Sequence, residues 1–176
     1  MDHLGRDLML FLLTAGVVTA AANMAAWWLE ESRRLNRALR RALGGQADAA
    51  VVSHGRGAAL DLGAGLAAVA WDGGSRVLVY ELAAFVGAEL LIDGAVAARA
   101  FRDEPRRALD QVASQAREVA LRLIFDDPRD PDFEVWLWRP DDQAGGKLGS
   151  PQDAIQEARR WLARAEAILR RGQAPA

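Results

Sequence analysis

The sequence predicts an α+β domain carried behind an N-terminal transmembrane helix, and three observations predict it. Leu8 to Trp28 contains no ionisable residue, and at about 1.5 Å of rise per residue such a segment crosses a hydrocarbon core of roughly 30 Å. From Ala49 onward, short apolar runs alternate with Gly and Asp-Gly turns, the pattern of antiparallel strands. A capped amphipathic pattern then closes the chain from Ser150. These assign residues 1–43 to the span (about 8–28) and a juxtamembrane extension, 49–171 to the domain and 172–176 to a disordered tail.

The first segment reads as a retained anchor. A secretory signal carries a basic head and an apolar core of about 7–15 residues, whereas this head sets Asp2 and Asp7 against Arg6 and the apolar stretch is longer. Trp27 and Trp28 fall where the chain leaves the bilayer, matching the preference of indole rings for the headgroup layer. Within the span, Gly16 and Ala20 are four apart and Asn23 follows on an adjacent face. That spacing suits close helix pairing with an interhelical hydrogen bond. The alternative is that Ala and Gly are abundant throughout and Asn23, near the exit, reaches water.

Arg33, Arg34, Arg37, Arg40 and Arg41 all follow the span and only Arg6 precedes it. Basic residues near a span favour the cytoplasmic side. The N-terminus is therefore expected outside and the domain in the cytoplasm, at a cell inner membrane. On a 3.6-residue helix Trp28, Leu35, Leu39, Ala42 and Leu43 share one side and those arginines the other. Two readings stay open: an interfacial helix held by anionic lipid, or a topology signal whose apolar stripe packs on a neighbouring helix.

A chain of 176 residues leaves room for one compact domain after the span. It has no Cys, which excludes disulfides, thiolate metal sites and thiol nucleophiles. Beyond Leu43, acids outnumber bases by 20 to 16. Without surplus cationic charge to neutralise phosphates, nucleic acid is not an expected partner.

After Gly44-Gly45-Gln46 breaks the helix, strands are predicted at Ala49–Ser53, Gly57–Asp61, Leu66–Trp71, Arg76–Tyr80, Phe85–Ile92 and Ala95–Phe101. Gly63-Ala64-Gly65, Asp72-Gly73-Gly74 and Asp93-Gly94 stand at the reversals. Asp103–Arg117 is charged and Ala-rich, with Leu109, Val112, Ala116 and Val119 at three- and four-residue steps, which predicts a short surface helix or an ordered loop. Val119–Asp126 alternates as a half-buried strand. The stiff Asp126–Pro131 turn follows, then a strand at Phe133–Trp138. Ser150-Pro151-Gln152-Asp153 is a helix start with N-cap, N1 proline and closing acid. Ile155, Ala158, Leu162, Ala165 and Leu169 give the helix an apolar face, with Arg170 and Arg171 suited to its C-terminal end.

This order of antiparallel strands closed by one helix resembles the pleckstrin-homology-like architecture. RVLVYELAAFVGAELLIDG, from Arg76 to Gly94, is similar to a pattern in small bacterial membrane-anchored members of unassigned function, as are the late strand pair and closing helix. The resemblance covers residues 50–171 and implies an antiparallel β-sandwich or barrel capped by a helix, used to bind lipids, peptides or protein surfaces. Phosphoinositide-binding members carry basic residues in the first hairpin loop, where the reading places Leu62-Gly63-Ala64-Gly65. Headgroup recognition is not implied.

Parts for catalysis are sparse. His3 lies beyond the span and His54 stands alone beside Gly55-Arg56-Gly57, so no Ser-His-Asp set assembles. Asp126, Asp127, Asp130 and Asp132 could together hold a hard cation, but their spacing is not that of an EF-hand and Arg129 sits among them. Gly145-Gly146-Lys147-Leu148-Gly149 lacks P-loop spacing. Trp71, Trp136, Trp138 and Trp161 read as core or rim packing. The expected function is a non-enzymatic, membrane-tethered adaptor without cofactor or metal, contacting the lipid bilayer and a protein partner, with self-association through the span or a strand edge left open. One alternative is an accessory subunit docking through Gly16, Ala20 and Asn23. The other is a cation-binding or enzymatic domain built on the Asp126–Asp132 turn.

Overall fold

The computed structural model describes residues 13–19, 30–102, 104–108, 116–140 and 148–172. Trp27, Trp28, Ala20, Asn23, both ends of the predicted span and residues 173–176 lie outside the described residues. Residues 13–19 are helical and exposed throughout. No helix among the described residues is long and apolar enough to cross a membrane.

The described chain is α+β, with two antiparallel sheets and a C-terminal helix. Helix α1 covers residues 30–42. A four-stranded meander follows: β1 (Ala49–Ser53), β2 (Arg56–Asp61), β3 (Leu66–Trp71) and β4 (Arg76–Glu81), hydrogen-bonded in that order. The second sheet has β5 (Phe85–Ile92), β6 (Ala95–Phe101), β7 (Glu104–Ala108), β8 (Val119–Phe125) and β9 (Asp132–Trp138), in the order β7-β6-β5-β8-β9. Helix α2 runs Pro151–Gly172. The β5–β6 hairpin closes at Asp93 and Gly94, with φ of +50° and +79°. These left-handed angles explain the Asp-Gly pair.

Alternation along the first sheet splits it between two cores. Val51, Ala58, Leu60, Ala67 and Val69 face inward with Leu90 and Ile92 of β5, Leu121 and Leu123 of β8, Val135 of β9 and the apolar side of α2. Val52, Ala59, Ala68 and Ala70 face outward and are covered by Leu35 and Leu39 of α1 and by Leu43 just after it. Burial on both faces gives β2 and β3 continuous small apolar runs instead of a polar alternation. In α2, Ile155, Ala158, Leu162, Ala165 and Leu169 are all buried, as the sequence predicts, and Ala154, Trp161 and Ile168 widen that face. The Ser150 hydroxyl accepts the Asp153 N–H at 3.2 Å and donates to the Asp153 carboxylate at 2.8 Å.

Three expectations are corrected. The apolar stripe of α1 faces neither lipid nor a neighbouring helix: the outer face of the first sheet covers it, because that face is itself apolar and needs a cover. Part of Asp103–Arg117 is strand β7, whose Ala108 and Arg107 pair with Ala98 and Arg99 of β6. Cross-strand hydrogen bonds there override the loose helical spacing. The first hairpin closes at His54–Gly55, and Leu62–Gly65 is the second reversal.

Candidate functional site

Alternate outward positions of the second sheet carry charge in one cross-strand row. Glu89 pairs in register with Arg99 on β6 and Arg122 on β8, and Arg122 with Glu134 on β9. The Arg122 guanidinium lies 3.0 Å from Glu89, 2.6 Å from Glu134 and 3.6 Å from Asp132. Its hydrogen bond to Glu134 raises its pKa above the ordinary arginine value. Glu89, 8% exposed, is the buried charged residue among the described residues. A row that satisfies its own charges fixes strand register and leaves little to offer a ligand.

The edge of β9 is closed by side chains of the first hairpin. His54 Nδ1 donates to the Trp136 carbonyl at 2.9 Å and Arg56 donates to the Glu134 carbonyl at 2.9 Å. Two donors two residues apart thus meet two carbonyls two residues apart, as a neighbouring strand would. His54 is thereby a structural residue. The Arg56 and Arg139 guanidinium carbons sit 4.8 and 4.1 Å from the Trp136 ring centre, and Trp71 packs 5.8 Å from Phe133. Trp138 and Trp161 are in the core.

Two carboxylates of the acidic turn have local partners. Asp127 accepts the Arg129 N–H at 2.9 Å, and Asp132 turns toward Arg122. Tyr80 stacks on Phe125 with ring centres 4.1 Å apart. Burial, the charges of Asp127 and Asp130 and a hydrogen bond to Asp127 push its pKa up to about 12. No group of three or more His, Asp or Glu side chains among the described residues is arranged to hold a metal.

A concavity lies where the sheets meet the end of α2. A groove of about 440 Å³ has apolar walls from Leu62, Leu82, Ala83, Phe85, Ile168 and Leu169, with Arg102 and Arg171 among its lining residues. Leu62 comes from the β2–β3 turn, Leu82 and Ala83 from the 3-10 turn after β4, Phe85 from the start of β5, and Arg102 from the end of β6. Arg102 donates to the carbonyls of Ala83 and, at 2.7 Å, Phe85, which holds the turn between the sheets against β6. Leu62 is 38% exposed. An apolar pocket with the Arg171 guanidinium beside it suits an apolar side chain with a carboxylate close by.

Sequence reading missed this groove because its residues come from five separate segments. The nearest signal is Ile168 beside Leu169, which makes the apolar face of α2 wider than one sheet contact requires. Of the residues singled out in the sequence, Arg33, Arg34, Arg37, Arg40 and Arg41 are all exposed on the side of α1 away from the sheet. Around Gly16 there is open space: beyond its chain neighbours and its own helix backbone, no described atom lies within 4 Å of a built β-carbon.

No protein-family model, curated protein or solved structure matches this chain.

Proposed function

We propose that the chain is a non-enzymatic, single-span membrane adaptor whose cytoplasmic domain, of pleckstrin-homology-like architecture, binds a segment of a protein partner. The groove beside the end of α2 carries this reading. Its apolar walls suit the apolar side chains of a partner segment. Two antiparallel sheets sharing a core with a closing helix support the architecture. The helical segment 13–19 supports the span, because its apolar Leu13, Val17 and Val18 are 56%, 62% and 63% exposed, a surface suited to hydrocarbon.

The test is site-specific photo-crosslinking from position 62 of the full chain in native membranes. One dominant protein adduct is expected, and it should disappear when Leu82→Glu is added to the groove wall. Absence of any adduct, or the same adducts with and without that change, overturns the reading. Open space around Gly16 favours a second reading, docking through the span as an accessory subunit. Replacing residues 8–28 by polyleucine separates the two, since only span docking loses its partner.

A further inference from the structure

We propose that the arginine face of α1 seats a carboxylate-rich stretch of the same protein partner, flanking the apolar residue that enters the groove. This rests on the adaptor reading above. Leu35, Leu39 and Leu43 are fixed under the first sheet, which turns Arg33, Arg34, Arg37, Arg40 and Arg41 outward, all exposed. No Asp or Glu occurs from Ser32 to Ala47. Arg34 pairs with Glu30 at 3.0 Å, but among the described residues Arg33, Arg40 and Arg41 meet no carboxylate. A cationic strip of about 12 Å, at 1.5 Å of rise per residue, is thus left facing solvent on a chain whose net charge is −2.

Two sources of anion could meet it, the bilayer or a protein, and geometry favours the protein. An interfacial helix immerses its apolar face, and here that face is already spent on the first sheet. The C-terminal end of the strip leads to the groove. Leu62 of the groove wall donates its N–H at 2.6 Å to Asp48, at the end of the short connection that follows α1. The end of α1 and the groove wall are therefore neighbours, and a partner segment anchored by an apolar residue in the groove would lay an acidic flank along α1.

The experiment uses the full chain in nanodiscs of zwitterionic lipid, with a fluorescein-labelled oligoglutamate as probe and anisotropy as readout. Saturable, salt-sensitive binding is expected, weakened about tenfold or more by Arg37→Glu, Arg40→Glu and Arg41→Glu combined. The glutamine triple at the same positions should weaken it less, and guards against misfolding of the reversal. Crosslinking from position 62 should also be lost in the reversal variant. If oligoglutamate fails to bind, or binds the reversal variant equally, the inference is overturned. If the position-62 adduct persists at full yield in that variant, the strip is no part of the partner surface, and the adaptor reading stands without it. The chain has no native Cys, so Arg41→Cys with an environment-sensitive dye tests lipid directly. Quenching by a headgroup nitroxide in anionic nanodiscs would place the strip on the bilayer and overturn the inference, while an unquenched dye supports it.

Discussion

A β-carbon built on Gly57 would stand 3.0 Å from Leu39 Cδ1, so helix α1 and strand β2 touch where the sheet has no side chain. The same β-carbon would lie 2.8 Å from Val52 Cγ2 and 3.1 Å from the Val51 carbonyl. Glycine lets the helix come down onto the sheet, and α1 in turn covers the apolar outer face of β1 to β3. Gly57→Ala should cost about 1–3 kcal/mol through overpacking. Leu39→Ala, which empties a fully buried site, should cost about 2–5 kcal/mol. Urea unfolding of the full chain in detergent measures both. Equal stability of either variant and wild type would mean that α1 does not dock as described.

The charged row of the second sheet predicts an asymmetry. Arg122 faces Glu89, Glu134 and Asp132, so Arg122→Met strands Glu89, the more deeply buried partner, and should cost roughly 3–5 kcal/mol. Glu89→Gln leaves Arg122 its contact with Glu134 and should cost only about 1–2 kcal/mol. Denaturant midpoints of the two variants give the order. The reverse order would assign the burial of Glu89 to apolar neighbours rather than to its ion pair.

At the start of α2, Ser150 both accepts from and donates to Asp153. Ser150→Ala should therefore cost about 1 kcal/mol, and Ser150→Asp, which keeps an acceptor but sets two carboxylates together, should recover little of it. Thermal unfolding followed by circular dichroism reads both effects.

That cap was legible in the sequence because capping chemistry is local. The same holds for the Asp93-Gly94 hairpin, whose positive φ angles need residues of those kinds, and for the apolar face of α2. Strand ends at Ser53, Asp61, Trp71, Ile92 and Phe101 were also legible, since apolar runs stop at turn residues. Pairing partners were not. Periodicity shows that Leu35, Leu39 and Leu43 share a side, but not what lies under it, because lipid, a second helix and a sheet are equally apolar. Strand β7 owes its form to the edge of β6 rather than to its own residues, so nothing within Glu104–Ala108 announces it. The groove unites Leu62, Leu82 and Ile168 across more than a hundred positions of sequence, and only the closed fold brings them together. Arg102 shows the same limit, being one arginine among many until its carbonyl partners at Ala83 and Phe85 are seen.

Tyr80 supplies a pH dependence whose direction can be worked out. Burial first, then Asp127 and Asp130, raises its pKa from 10.0 to about 12, so the fold favours the protonated phenol. Its contribution to stability is fully present below pH 10, and it falls as pH rises through 10 to 12, because the unfolded chain loses the proton more readily than the folded one. Tyr80→Phe keeps the stacking on Phe125 and removes the titration. The variant should hold its stability across that window better than the wild type, measured as denaturant midpoints against pH. Tyr80 is the chain's single tyrosine, so phenolate absorbance reports it alone. A titration midpoint near 12 in the folded protein and near 10 in urea is expected, and a folded midpoint near 10 would show that Asp127 and the Phe125 ring do not enclose the phenol as described.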